Sequence, residues 1–350
     1  MRLLVTVDPG IVVPPVGYGG IERIVDALVR HYRGLGHTVA LLAEPGSRCP
    51  ADHSFAWKRG DDGAGPGLFS GMSTLTGACN AFKPDLLHSF SRLAFMVPVL
   101  PRSLPKVMSY QRQTGGLQIG LASRMAGKSL RFTGCSRFIC SMGAPHGGAW
   151  TAVHNFIEPE RFTFSEQVPA DAPLLFLSRV ESIKGPDLAL EIARASGRRL
   201  IIAGNRPKEG PELDFWNRKI AGAIGHDGVE WVGEVDDRQK NELLGKAAAL
   251  VVPIQWDEPF GIVFAESLAC GTPVITCSRG AAPEIIEAGR TGFFITDIAS
   301  GAAAVSRLSE IDRQACRRSA ETRFSARTCA DQYLALYRDL IAHGPSGSRT

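Results

Sequence analysis

The sequence has no long apolar run. Its best candidates, Leu93 to Leu100 and Ala247 to Ile254, each contain a proline. Both fall far short of the roughly 18 residues that a membrane-spanning helix needs. A secretory leader is not expected either. Met1-Arg2 passes at once into Leu3-Leu4-Val5-Thr6-Val7 and then Asp8-Pro9-Gly10, which reads as a first strand and its turn. The eight cysteines form no C-x-x-C pair, and no histidines stand at zinc-finger spacing. Buried, reduced thiols in a cytoplasmic protein are the expectation. There is no G-x-G-x-x-G fingerprint and no P-loop lysine with its hydroxyl residue, so ATP hydrolysis has no support. Neither sign of charge dominates. With 39 basic and 35 acidic residues the net charge is +4, dispersed along the chain, which argues against nucleic acid as a partner. No repeat of 20 to 50 residues is apparent.

What is present is glycine, 38 in 350 residues, against about 7% in an average protein. The apolar share of 44% is that of a folded globular chain, and the length suits two domains. Short apolar runs alternate with amphipathic stretches. Arg2 to Val7, Thr38 to Ala43, Asp85 to Ser89, Lys106 to Tyr110 and Ala149 to His154 read as strands. So do Leu174 to Ser178, Arg199 to Ala203, Gly228 to Val232, Ala249 to Ile254 and Pro273 to Cys277. Several are apolar at nearly every position, as expected of parallel strands covered on both faces. Ile21, Ile24, Val25, Leu28, Val29 and Tyr32 recur at helical spacing, with Gly34 and Gly36 as stop signals. A second helix is expected after Lys184-Gly185-Pro186. The alternation predicts an α/β protein of two Rossmann-like domains facing across a cleft.

The domain break is expected in the proline-bounded stretch between His154 and Pro173, giving domains 1–160 and 161–324. Gly60 to Gly71 reads as a mobile loop, with five glycines and a proline. A last helix of about 325–343 would carry Tyr333, Leu336, Tyr337, Leu340 and Ile341 on one side, followed by a disordered tail from Gly344.

In such sheets ligands sit beyond the carboxyl ends of the strands, so the chemistry is sought in strand-to-helix loops. Glu258-Pro259-Phe260-Gly261-Ile262-Val263-Phe264-Ala265-Glu266 sets two carboxylates across such a turn. Amides from Phe260 to Val263 at a helix start would favour an anion. Glu258 could accept hydrogen bonds from hydroxyls, and Glu266 could bind a diol such as ribose. In Ser178-Arg179-Val180-Glu181-Ser182-Ile183-Lys184-Gly185, two cations follow a strand and could clamp a diphosphate without a metal. Gly17-Tyr18-Gly19-Gly20-Ile21-Glu22-Arg23 would let backbone approach a ligand. Spacing alone leaves open that these are solvated charges on ordinary loops.

Together these stretches resemble the retaining, GT-B-fold enzymes of glycosyltransferase family 4 along nearly the whole chain. Gly19 to Arg23 followed by Gly36-His37-Thr38-Val39 resembles the family's opening segment. Asp85-Leu86-Leu87-His88 resembles its D-[VIL]-[VIL]-H strand, and His154-Asn155-Phe156-Ile157 its linker. Arg179 with Lys184-Gly185 resembles R-x-x-x-x-K-G. Glu258 to Glu266, followed by Ala269-Cys270-Gly271-Thr272-Pro273-Val274, is similar to its most specific signature, and Thr291-Gly292 to a later one.

The resemblance implies a nucleotide-sugar donor on the C-terminal domain, with Arg179 and Lys184 on the diphosphate. Glu266 would hold the ribose and Glu258 the transferred sugar. Gly204, Phe260, Gly261 and Ile262 would meet the donor, with Val232 bordering the base. The N-terminal domain would hold the hydroxyl acceptor, with Gly19 and Gly20 near the reacting phosphate. Tyr18, His88 and Gln111 are placed on the acceptor side. The last helix would cross back to the N-terminal domain. No Asp-x-Asp is evident at a strand end, so no metal is expected, and no cofactor beyond the donor substrate. One departure stands out. Where the family has a histidine at the end of the Lys106 to Tyr110 strand, this chain has Tyr110 or Gln111, and tyrosine is a poor base near neutral pH. A hydrolase or epimerase of the same fold, or a nucleotide-sugar binder without transfer, are the alternatives. Peripheral contact with a membrane would bring a lipid-linked acceptor within reach.

Overall fold

The computed structural model describes residues 1–16, 19–58 and 65–343. Among them, thirteen strands form two parallel sheets. The chain divides into two compact units. The first comprises Met1–Asn155 and the helix Ala326–His343, and the second Phe156–Ser325. The division falls after Asn155, a little before the break expected at 160.

The first unit contains β1 (Arg2–Thr6), β2 (Thr38–Ala43), β3 (His53–Ala56), β4 (Leu86–Ser89), β5 (Lys106–Tyr110), β6 (Leu130–Gly134) and β7 (Trp150–Ala152). They lie in the order β3-β2-β1-β4-β5-β6-β7. The central strands are buried along their length, β4 completely. The edge strand β3 is mostly exposed and polar. It lacks the apolar run that marks its neighbours, so sequence pattern did not single it out. The helix Gly20–Gly34 buries Ile24, Val25, Leu28, Val29 and Tyr32 on the sheet, as its spacing predicts.

Two expectations are corrected here. Leu68 to Gly71 belong to the helix Leu68–Phe82 rather than to a loop. Gly71 is there because the Phe95 ring packs against it, and a Cβ would overlap that ring. On the last helix Ile341 is exposed, while Leu334 joins Tyr333, Tyr337 and Leu340 in the core. Residues 60–64 of the glycine-rich stretch and the tail from Gly344 lie outside the described residues.

The second unit contains β8 (Leu174–Leu177), β9 (Leu200–Ala203), β10 (Val229–Gly233), β11 (Ala249–Val252), β12 (Val274–Cys277) and β13 (Gly292–Ile295). Their order is β10-β9-β8-β11-β12-β13. β8 and β11 are adjacent and fully buried. The strand order reverses between them, which opens a crevice beyond their carboxyl ends. In the first unit the reversal lies between β1 and β4.

Candidate active site

In the second unit, two loops meet at that crevice. After β8 the chain runs through Arg179 and a single 3-10 turn, Ser182–Lys184, into the helix Pro186–Ala195. Gly185 turns the corner at φ 71, in the left-handed region. A side chain there would collide with the Pro253 carbonyl of the loop after β11. The two loops are also joined by the Gln255 amide, which donates to the Ile183 carbonyl at 2.8 Å. Ser182 donates through its amide and hydroxyl to Glu212, at 2.7 and 2.8 Å.

The loop after β11 carries Glu258. Its backbone is clamped by the Ala281 amide, which donates to the Glu258 carbonyl at 2.8 Å. The Lys184 ammonium reaches Glu258 Oε2 at 2.6 Å, with both side chains largely buried, at 10% and 13% exposure. The Trp256 indole N–H donates to the same oxygen at 2.9 Å. Arg179 is more exposed and turns instead to Glu181, at 2.6 Å. Each of the two expected diphosphate cations is therefore paired with a carboxylate.

Gly261 caps the helix Ile262–Ala269 at φ 83, and Phe260 is buried against Phe324. One and a half turns on, Glu266 receives Lys240 at 2.5 Å from the helix Asp237–Lys246. Burial opposes the Lys240 charge, but Glu266 and Asp237 outweigh it and hold its pKa above the ordinary lysine value. Gly204 follows β9, with its amide donating to the Gly233 carbonyl and its own carbonyl accepting from the Trp231 indole. A Cβ at Gly204 would strike the Ser178 carbonyl. Val232 is partly exposed on β10.

The first unit holds a second group of polar residues at its strand ends. Gly19 and Gly20 begin the first helix, and Gly19 packs on Pro15 with φ 152. Tyr18 lies outside the described residues. Asp8 follows β1, and its Oδ1 is buried with no partner among the described residues. Burial raises the Asp8 pKa against the pull of Arg92 and Arg112, the latter 4.0 Å away. Glu22 is buried and likewise raised, chiefly by burial and further by Asp8. Gln111 has both amide atoms buried and unpartnered among the described residues. Tyr110 stacks on Trp150 at 5.5 Å between ring centres. Burial raises its hydroxyl pKa, and a hydrogen bond with Thr114 works the other way.

His88 is placed differently from the expectation. It is wholly buried, with Nδ1 2.5 Å from the Tyr337 hydroxyl and Nε2 2.6 Å from the Ser109 hydroxyl. Burial pushes its pKa down to about 3, so it stays neutral. Both nitrogens serve the core, which leaves neither for an acceptor.

Residues 160–323 match the family model of glycosyl transferases group 1. This stretch is a glycosyl transferases group 1 domain. The whole chain is similar to a solved glycosyltransferase involved in avilamycin A biosynthesis, AviGT4, at 25% identity. That match covers 98% of each chain, with a TM-score of 0.72. Glycogen synthase of Mycobacterium tuberculosis is 25% identical over 371 residues, covering 89% of this chain and 87% of that protein. Spore coat protein SA of Bacillus subtilis is 27% identical over 180 residues, 47% of this chain; the match spans about half, 48%, of that protein. The two parallel-sheet α/β units are of the GT-B class.

The group 1 domain thus contains Arg179, Lys184, Gly204, Val232, Glu258, Phe260, Gly261, Ile262 and Glu266. Its sheet brings Lys184 and Glu258 into contact. Sequence reasoning did not mark Trp256 or Lys240. Lys240 stands in the polar run Asp236-Asp237-Arg238-Gln239-Lys240, where nothing in the pattern tells which cation folds inward. In the first unit, Asp8 read only as the end of a strand. Among the described residues, no cluster of three or more His, Cys, Asp or Glu is placed to hold a metal. The eight cysteines form no disulfide, and burial raises the thiol pKa of Cys79, Cys270 and Cys316, to about 11, 12 and 12.

Proposed function

We propose that the chain is a retaining glycosyltransferase. It moves a hexose-type sugar from a nucleotide-diphosphate sugar to a hydroxyl of a saccharide, a lipid-linked acceptor or a small molecule. The observation that carries this reading is the Lys184–Glu258 contact at the β8–β11 reversal of a group 1 domain. As the donor's glycosidic C–O bond breaks, negative charge grows on the diphosphate. Lys184 and Arg179, preorganised beside it, stabilise that charge as it forms. The reading needs no metal for this step. Glu258 accepts hydrogen bonds from the sugar's hydroxyls, and Glu266 accepts from the ribose. Gly261 and Ile262 bring the helix start close to the phosphate. The acceptor oxygen bonds to the anomeric carbon on the face the diphosphate leaves, and its proton passes to a departing phosphate oxygen.

Acceptor recognition belongs to the first unit. The amide of Gln111 and the Oδ1 of Asp8, both buried and unpartnered among the described residues, offer hydrogen bonds to a polyhydroxyl ligand. On the helix Gly116–Ala126, Leu117 and Leu121 are exposed one turn apart, with Arg124 and Lys128 following. That pairing of apolar and basic groups supports peripheral membrane contact, which suits a lipid-linked acceptor. A second reading, a nucleotide-sugar binder without transfer, is favoured by Tyr110 alone, because its raised hydroxyl pKa makes it a poor base.

Purified protein screened against UDP-, GDP- and ADP-sugars, with and without saccharide acceptors, separates these readings. Transfer supports the first; donor breakdown or isomerisation without acceptor indicates a hydrolase or epimerase; binding without turnover supports the second. Glu258→Ala should lower transfer at least ~100-fold while sparing free-nucleotide binding. Unchanged turnover would remove Glu258 from the site.

A further inference from the structure

Trp256, Lys184 and Glu258 form a closed triangle. The Trp256 indole N–H and the Lys184 ammonium both donate to Oε2 of Glu258, at 2.9 and 2.6 Å. The same ammonium lies 4.5 Å from the centre of a Trp256 ring. A carboxylate oxygen has two lone-pair directions in its plane, so these two donors fill Oε2. Oε1 receives no hydrogen bond from the described residues and is the oxygen left to meet a ligand.

The two donors differ in kind. The lysine ammonium sits on a flexible four-carbon stem and carries a charge that any bound diphosphate also attracts. The indole is rigid and neutral, and has no other use for its one N–H. Trp256 stands two residues before Glu258, on a loop held to the Ile183 carbonyl through the neighbouring Gln255 amide. Its hydrogen bond therefore persists when the lysine's charge is shared.

We propose that Trp256 is the positioning residue for Glu258. It fixes Oε2, and so aims Oε1 at the transferred sugar, while Lys184 divides its charge between Glu258 and the donor's diphosphate. This rests on the glycosyltransferase reading for the identity of the ligand, but not for the contact itself. Without the indole N–H, Glu258 would follow Lys184, and its free oxygen would lose its aim as the donor binds.

Two measurements test this. In proton NMR of the full chain, the five tryptophans give indole N–H signals, and Trp256→Phe assigns one by its disappearance. Glu258→Gln should shift that signal and speed its exchange with water, whereas Lys184→Met should leave it hydrogen-bonded. A signal indifferent to Glu258→Gln overturns the proposal, whether or not any donor is turned over. In kinetics with whichever of UDP-glucose, GDP-mannose or ADP-glucose the protein uses, Trp256→Phe keeps an aromatic ring at that position but removes the N–H along with part of the indole. It should lower kcat by about 10- to 100-fold with donor KM within about threefold. Equal loss in kcat and gain in KM, or no change in either, overturns the positioning role. If the wild-type chain turns over none of these donors, the glycosyltransferase reading fails and the NMR result alone decides the Trp256 contact.

Discussion

The imidazole of His88 on β4 and the phenol of Tyr337 on the last helix share a buried hydrogen bond, Nδ1 to hydroxyl, of 2.5 Å. The chain of contacts continues on both sides. Tyr337 meets the Tyr32 hydroxyl at 3.0 Å, and His88 Nε2 meets Ser109, which also contacts Thr133 and Tyr333. Tyr337→Phe would strand His88 Nδ1 and the Tyr32 hydroxyl in the core. It should cost about 1–3 kcal/mol of stability, read from the midpoint of urea denaturation. The pH dependence follows from the same burial. The His88 pKa is depressed to about 3, below the unfolded value of about 6.5, so the unfolded chain takes up its proton first as pH falls. His88 thus contributes stability that is full above about pH 6.5 and declines as pH drops toward 3. His88→Gln should show a shallower loss across that window.

Lys106 presents the opposite end of the scale. It is fully buried at the start of β5, where its ammonium donates to the Arg102 and Leu104 carbonyls and the Ser129 hydroxyl. No carboxylate is among those three partners, and burial pushes its pKa down to about 8. Between pH 8 and the unfolded value of about 10.4, the unfolded chain holds the extra proton, so this group adds stability as pH rises. The stability of the wild-type chain minus that of Lys106→Met should therefore increase from pH 8 to pH 10 and stay flat below pH 8. Thermal denaturation of both proteins across that range is the check.

Lys240 and Glu266 form the third pair to probe. Both are largely buried, at 20% and 12% exposure, so removing one partner leaves the other desolvated and uncompensated. Lys240→Met should raise the donor KM by about tenfold, with a smaller effect on kcat, because Glu266 is proposed to hold the ribose rather than the reacting sugar. Lys240→Arg should recover part of the loss. Titration of free nucleotide by calorimetry gives the same comparison without turnover.

The parts of the fold that were legible are those where one physical demand dominates. Thr38–Ala43 and Lys106–Tyr110 appear with the bounds expected of them, because strands covered on both faces are apolar at most positions. The helix at Pro186 follows from proline's fitness for a first helical turn. β3 was hidden because an edge strand has one covered side and can be polar. In the site, motif spacing placed Lys184 and Glu258 in strand-to-helix loops around one cleft, but not in contact with each other. Side-chain direction is a tertiary property, and the same limit concealed Lys240, Trp256 and the inward turn of His88. A histidine near a strand end has the same local pattern whether it faces a ligand or a tyrosine.

The last helix bears on how the protein is made. Tyr333, Leu334, Tyr337 and Leu340 fill the core of the unit built around β1, yet they leave the ribosome after all of Phe156–Ser325. Of these two units, the one whose synthesis begins first is therefore the later to be completed. Until then, its sheet waits with the helix's seat, lined by Tyr32, His88 and Ser109, uncovered. The second unit is a single uninterrupted stretch whose ends meet in the Ile157–Ser325 bridge. It has the organisation of an insertion and can close while the nascent chain is still growing.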